Sequence, residues 1–244
     1  ERNSSYKNSN YGFSGSGCHN CIWRNNIAYN NESSFGYYEA GTCSYFNNTS
    51  ESPKYWAFTI QETSGLITQC TLKNNIARKI SPYAGTSNYG GIAIGSGVSY
   101  PGDANLVFTS DGNFGQWSGS NITLTDWKNT SHQDVNSKFE NPLFIDGSDL
   151  SSLYFTLQSL SPALGSGINL YSLFITDKNN NLRPSLGAWD IGAYEYVGGG
   201  TAQPINSYCS TTLNACTTGT FSDTVETSTN YLWNCLGNNG GVTA

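Results

Sequence analysis

Cys21-Ile22-Trp23-Arg24-Asn25-Asn26-Ile27-Ala28 recurs as Cys70-Thr71-Leu72-Lys73-Asn74-Asn75-Ile76-Ala77, and between them stands Cys43-Ser44-Tyr45-Phe46-Asn47-Asn48-Thr49. Six of the eight positions in the outer pair are identical or conservative, and all three stretches keep one C-x-x-x-N-N frame. The cysteines lie 22 and 27 residues apart, about one turn of a β-solenoid. Alternate residues of a strand share a face, so Cys21, Trp23 and Asn25 point one way. So do Cys43, Tyr45 and Asn47, and Cys70, Leu72 and Asn74. Strands stacked about 4.8 Å apart then give an interior line of sulfur, a line of large apolar groups, and a line of asparagines at a corner. The asparagine amides are expected to bond from coil to coil. The cysteines need not bridge, because parallel Cβ vectors on stacked strands fit disulfide geometry poorly. Further strands follow in each coil, at Phe35 to Tyr38, at Trp56-Ala57-Phe58-Thr59-Ile60 and at Ile92-Ala93-Ile94.

Composition agrees with this pattern. Charged residues make up 11% of the 244 positions and aromatics 14%, which argues against disorder; methionine is absent and strong helix formers are few. The chain is therefore expected to be all-β. The net charge is −6, and the 11 basic residues form no stripe that would neutralise phosphates, which argues against nucleic acid as a partner. No apolar run of about 18 residues occurs, so no membrane insertion is expected. Seven cysteines, at 18, 21, 43, 70, 209, 216 and 235, are an odd number for an extracellular chain and imply a free thiol or a missing partner. Both ends read as cut from a longer protein. Asn-x-Ser/Thr sequons stand at Asn3, Asn31, Asn47, Asn48, Asn121 and Asn129, as often as this composition gives by chance.

The C-x-x-x-N-N coils resemble those of bacterial parallel β-helix proteins of the pectate-lyase-like superfamily. A more specific resemblance runs through Asp134-Val135-Asn136-Ser137, Asn141-Pro142-Leu143-Phe144-Ile145-Asp146, Tyr154-Phe155-Thr156-Leu157, Ser161-Pro162-Ala163 and Trp189-Asp190-Ile191-Gly192-Ala193-Tyr194-Glu195-Tyr196. This series resembles the C-terminal closure of secreted β-helix proteins, with Asn105-Leu106-Val107-Phe108 as the last regular coil. Two positions depart from the family: Asn141 stands where an acid is usual, and Asn180 near a usual glycine. The resemblance implies a right-handed parallel β-helix over 1–125 and a C-terminal coil and capping region over 126–196. The cap is expected to cover the last coil, with Arg183 paired to Asp190. Residues 197–204 read as a glycine-rich linker. Residues 205–244, with Cys209, Cys216 and Cys235, resemble part of a cysteine-containing repeat of bacterial surface proteins.

Candidate chemistry is sparse. Cys18-His19-Asn20-Cys21 lacks further zinc ligands and a helix to activate a thiolate, so a buried thiol or local disulfide is expected, with no metal or cofactor. Glu39 and Glu62 are not equivalent in the repeat and form no evident pair of glycosidase carboxylates. Asp146-Gly147-Ser148-Asp149 reads as a turn rather than a calcium loop. Arg24 and Lys73 share one outward repeat position, and Tyr38, Tyr55 and Tyr83 are outward aromatics suited to stacking on sugar rings. These five are the candidate ligand-binding residues. The expected function is a non-catalytic extracellular or cell-surface scaffold that is adhesive, glycan-binding or self-associating. The alternative is a polysaccharide lyase or glycoside hydrolase with its catalytic residues upstream of this segment.

Overall fold

The computed structural model describes residues 1–15, 19–37, 41–61, 67–79, 90–145 and 155–197, and the strand residues 208–209, 216–218, 220–223 and 233–236. They fall into two units, Glu1–Tyr196 and Val197–Ala244.

The first unit is a parallel β-solenoid of about four turns. Its strands are β1 (Ser4–Tyr6), β2 (Tyr11–Gly15), β3 (Cys21–Arg24), β4 (Ile27–Tyr29), β5 (Ser33–Tyr37), β6 (Gly41–Phe46), β7 (Thr49–Glu51), β8 (Phe58–Ile60), β9 (Ile67–Lys73), β10 (Ile76–Lys79), β11 (Ile92–Ile94), β12 (Gly102–Asp103), β13 (Leu106–Thr109), β14 (Gly115–Trp117) and β15 (Ser120–Ile122), then helix α1 (Leu124–Ser131) and β16 (Lys138–Phe139). Every third strand stacks, making three sheets: β1-β4-β7-β10-β13-β16, β2-β5-β8-β11-β14-β15 and β3-β6-β9-β12. All neighbours are parallel except β14 and β15.

Side-chain alternation fills the interior with repeating lines. Cys21, Cys43 and Cys70 are in register, as are Trp23, Tyr45 and Leu72. Phe13, Phe35, Phe58 and Ile92 form a third line. Within these lines Trp23 stacks on Tyr45 with centroids 4.8 Å apart, and Phe35 on Phe58 at 4.9 Å. The first sheet contributes mostly small interior groups, Ala28, Ser50, Ala77 and Val107, with partly buried Phe139 following on β16. Its other face carries Ile27, Ile76 and Leu106, which pack with Phe144, Phe155, Leu157, Ile191 and Tyr194 of the C-terminal segment.

Three expectations need correcting. Cys43 and Cys70 are joined by a disulfide. Their Cα atoms are 4.5 Å apart, within the bridging range, and both side chains are buried in the same interior cluster. Second, the continuous amide row runs through the second asparagine of each pair, not through Asn25, Asn47 and Asn74. The first residue of each corner has a left-handed backbone, with φ of 54° at Asn25, 51° at Asn47 and 58° at Asn74. Asparagine tolerates that conformation. The turn also breaks strand alternation and hands the interior position to the next residue. Asn26 Nδ2 donates to Asn48 Oδ1, Asn48 Nδ2 to Asn75 Oδ1, and Asn75 Nδ2 to Asn105 Oδ1, at 3.0–3.1 Å.

Third, the end of the solenoid is covered by elements that precede the closure series. The solenoid end is closed by β15 and α1, whose Trp127 is fully buried and packs edge-on against Tyr100, Phe114 and Trp117. Gly115 makes room: a Cβ there would lie 3.0 Å from the Trp127 ring and 2.0 Å from Ile92 O. Asp134 accepts from Trp127 Nε1 and Asn105 Nδ2, terminating the amide row. Residues 165–196, by contrast, run along the side of the solenoid as a strap, reaching back to Arg2.

In the second unit β17 (Tyr208–Cys209) pairs antiparallel with β18 (Cys216–Thr218), and β19 (Thr220–Asp223) with β20 (Trp233–Leu236). Most of the linker, 198–204, lies outside the described residues.

Candidate functional site

The left-handed corner that displaced Asn25, Asn47 and Asn74 from the inner row turns their amides toward the strap. Asn25 Nδ2 donates to Thr176 O, Asn47 Nδ2 to Asp190 O and Gly192 O, and Asn74 Nδ2 to Ile168 O, while Ile168 N–H donates back to Asn74 Oδ1. One bond, Asn74 Nδ2 to Asn47 Oδ1, links two members of this row directly. The row reads the strap's backbone at successive coils. Gly192 N–H to Asn74 O and Ala193 N–H to Thr49 Oγ1 complete the seam.

Arg183 is the buried cation of this seam, 1% exposed. Its carboxylate partner is Glu195, at 2.7 Å, not Asp190, which offers Arg183 only its backbone oxygen. The Asp190 carboxylate instead accepts from the Gly165 and Tyr196 N–H groups. Arg183 also donates to Asn25 Oδ1 and Gly192 O, and its guanidinium lies over the Trp189 ring at 5.1 Å. Burial, with the Asp190 carboxylate adding to it, pushes Glu195 up to about 7. Burial also raises Asp190 and lowers Arg183. A second buried ion pair, Arg78–Glu51 at 2.6 Å, lies where Phe144 covers the first sheet.

Of the candidate binding residues, Tyr38 and Tyr83 lie outside the described residues, as do Cys18, Glu39, Glu62 and residues 146–149. Cys21 is disulfide-bonded. Arg24 is engaged: it pairs with Glu1, donates to Leu173 O at 2.9 Å, and lies over the Phe174 ring at 5.2 Å. Lys73 is partly exposed two coils away, with buried Phe46 between them in register. The two cations therefore form no continuous strip.

Tyr55 sits at a different corner. The Lys54 ammonium is 5.0 Å from its ring centroid and pairs with Glu32 at 3.2 Å. Hydrogen bonding to Glu32, then to Tyr55, raises the Lys54 pKa. Beside them is a shallow recess of about 170 Å³ lined by Asn8, Ser9, Asn30, Asn31, Glu32 and Lys54. Left-handed turns at Lys7, Asn30 and Ser52 build this corner, and Asn31 Oδ1 ties it by accepting from the Asn8 backbone and side chain. Amides, a carboxylate and an ammonium around one hollow are groups that can meet a polyhydroxylated ligand, with Asn31 spent on Asn8 and Ser5 and the Glu32–Lys54 pair left to face it. The signal for this corner was in the sequence as Lys7-Asn8, Asn30-Asn31 and Ser52-Pro53, one coil apart, but without a cysteine to mark the frame.

Among the described residues no group of three or more His, Cys, Asp or Glu side chains is placed to hold a metal ion, and no helix is long and apolar enough to cross a membrane. The chain matches no protein-family model, no curated protein and no solved structure.

Proposed function

We propose that this chain is a segment of an extracellular, non-catalytic scaffold: a stiff β-solenoid that presents a glycan-contacting surface. The observation that carries the reading is the recess at the Asn30–Glu32 corner, where Lys54, Glu32 and three asparagines surround a hollow beside the Tyr55 ring. The buried Cys43–Cys70 disulfide supports an oxidising compartment, since such bonds are rare where thiols are kept reduced. The buried ion pairs are structural, Arg78–Glu51 tying β10 to β7 within the first sheet and Arg183–Glu195 fastening the strap to itself, which favours display over turnover. The resemblance of the coils and closure series to secreted bacterial β-helix proteins points the same way, toward a surface-attached or self-associating stalk.

Retention on a panel of immobilised polysaccharides tests this, read together with release of reducing or unsaturated sugar ends. Binding without cleavage, weakened about tenfold or more by Glu32→Ala with Lys54→Ala, is expected if the corner supplies two charge-assisted hydrogen bonds. Cleavage would move the protein to the carbohydrate-active enzymes. Retention that ignores the double substitution would remove the recess from the account.

A further inference from the structure

The two ends of the solenoid are finished differently. At one, antiparallel β15 and α1 cover the last coil, with Trp127 buried beneath. At the other, β1, β2 and β3 are each the outermost strand of their sheets. Among the described residues nothing covers the aromatic lines that end there. Tyr6 stacks on Tyr29 at 5.0 Å with its own surface 54% exposed. Phe13 stacks on Phe35 at 5.1 Å and Trp23 on Tyr45 at 4.8 Å, both only partly buried, unlike their partners. Ile22 on β3 and Leu173, which lies against Arg24, add exposed apolar surface at 59% and 53%.

The polar row ends open too. Each inner asparagine accepts, through Oδ1, a backbone N–H from the corner of the preceding coil: Asn26 from Asn3, Asn48 from Asn26, Asn75 from Asn48, and Asn105 from Asn75. Asn3 occupies the next place in that row and is exposed. Arg2 has the left-handed backbone of the preceding corner position, with φ of 59°. The first coil thus carries the features that elsewhere receive a neighbour: strand edges, ring faces and an acceptor at the corner.

From this we infer that the β1–β2–β3 end is an interface for one further parallel β-coil, with aromatic or apolar groups at its three inward lines and a left-handed corner above Arg2–Asn3. The repeated coil-to-coil contact of this chain defines that partner. The other end of a second copy cannot supply it, because β15 and α1 already cover it. A two-fold pair of copies joined through these edges would run antiparallel and could not continue the amide row. A free peptide would lose backbone entropy at every residue on ordering, so the coil must belong to a folded stack. The inference does not depend on glycan binding.

The test replaces Glu1–Asn3 with a copy of residues 27–48, so that its Asn47-Asn48 corner leads into Ser4 as it leads into Thr49; a second chain carries a copy of residues 4–26 instead. Cysteines in both copies are changed to serine. Hydrogen exchange of the β1, β2 and β3 amides is compared with the parent, alongside sedimentation of the parent at rising concentration. In at least one extended chain these amides should slow by about tenfold or more, Trp23 emission should shift to the blue, and the parent should stay monomeric. A control prefix shortened by one residue should give no protection, because the slip turns every inward side chain outward. Unchanged exchange in both extended chains, failure of both prefixes to order, or pairing of the parent through these edges would overturn the inference.

Discussion

Asn75 stands mid-row with all its amide capacity in use: Oδ1 accepts from the Asn48 backbone and side chain, and Nδ2 donates to Asn105 Oδ1 and Tyr45 O. Asn75→Ala leaves several buried groups unsatisfied, each costing about 1–3 kcal/mol, so a loss of roughly 3 kcal/mol or more is expected in denaturant unfolding. Asn129→Ala, on the exposed face of α1, should stay within about 0.5 kcal/mol. Equal losses would mean the row is decoration. The paired asparagines were plain in the sequence, and their division of labour was not. Alternation assigns the interior to Asn25, Asn47 and Asn74, but it holds only while the backbone is extended, and the positive φ at those residues ends it. The fold sorts the six sequons, burying Asn31, Asn47 and Asn48, leaving Asn121 half-buried and exposing Asn3 and Asn129. Only the exposed sites can accept a glycan on the folded chain.

At the level of elements, strands β6 and β9 are held by packing and by the Cys43–Cys70 bond, which closes a span of 27 residues. Replacing both cysteines by alanine should cost roughly 3–4 kcal/mol if the bond acts by limiting the unfolded chain. Mild reductant should leave the folded protein intact, because both sulfurs are shielded from solvent. The strap makes a prediction in pH. Glu195 titrates near 7 in the folded protein against 4.5 for a free glutamate. Between those values the folded state holds a proton that the unfolded chain has released, so stability should rise as pH falls from about 7 toward 4.5. Burial raises Asp134 and Asp190 as well, which adds in the same direction. Urea titrations across that window should show the rise, and Glu195→Gln should flatten it; an unchanged slope would remove Glu195 as its source. The strap's course could not be read from sequence. Its contacts with Asn25, Asn47 and Arg2 span 143 to 178 residues, and no local period reports on pairings of that length.

For the molecule as a whole, the repeat frame foretold an all-β parallel solenoid, and the three stacked sheets have that form. The closure series foretold a cover for the last coil; α1, which precedes that series, covers the end, and the series itself packs along the side. Without the C-terminal segment the solenoid would expose Ile27, Ile76 and Leu106 on the first sheet, and the strap, which has bonds of its own, is fixed to the coils through Asn25, Asn47 and Asn74. The central claim is therefore that residues 1–196 form one unit in which the strap is as firmly placed as the coils. Residue-resolved hydrogen exchange tests it most directly. The Gly167, Ile168, Gly192 and Ala193 amides bond to Trp189 O, Asn74 Oδ1, Asn74 O and Thr49 Oγ1. They should exchange as slowly as the strand amides of β7 and β10, through the same global opening. Exchange of these four at the rate of an unstructured tail, while β7 and β10 stay protected, would contradict the account.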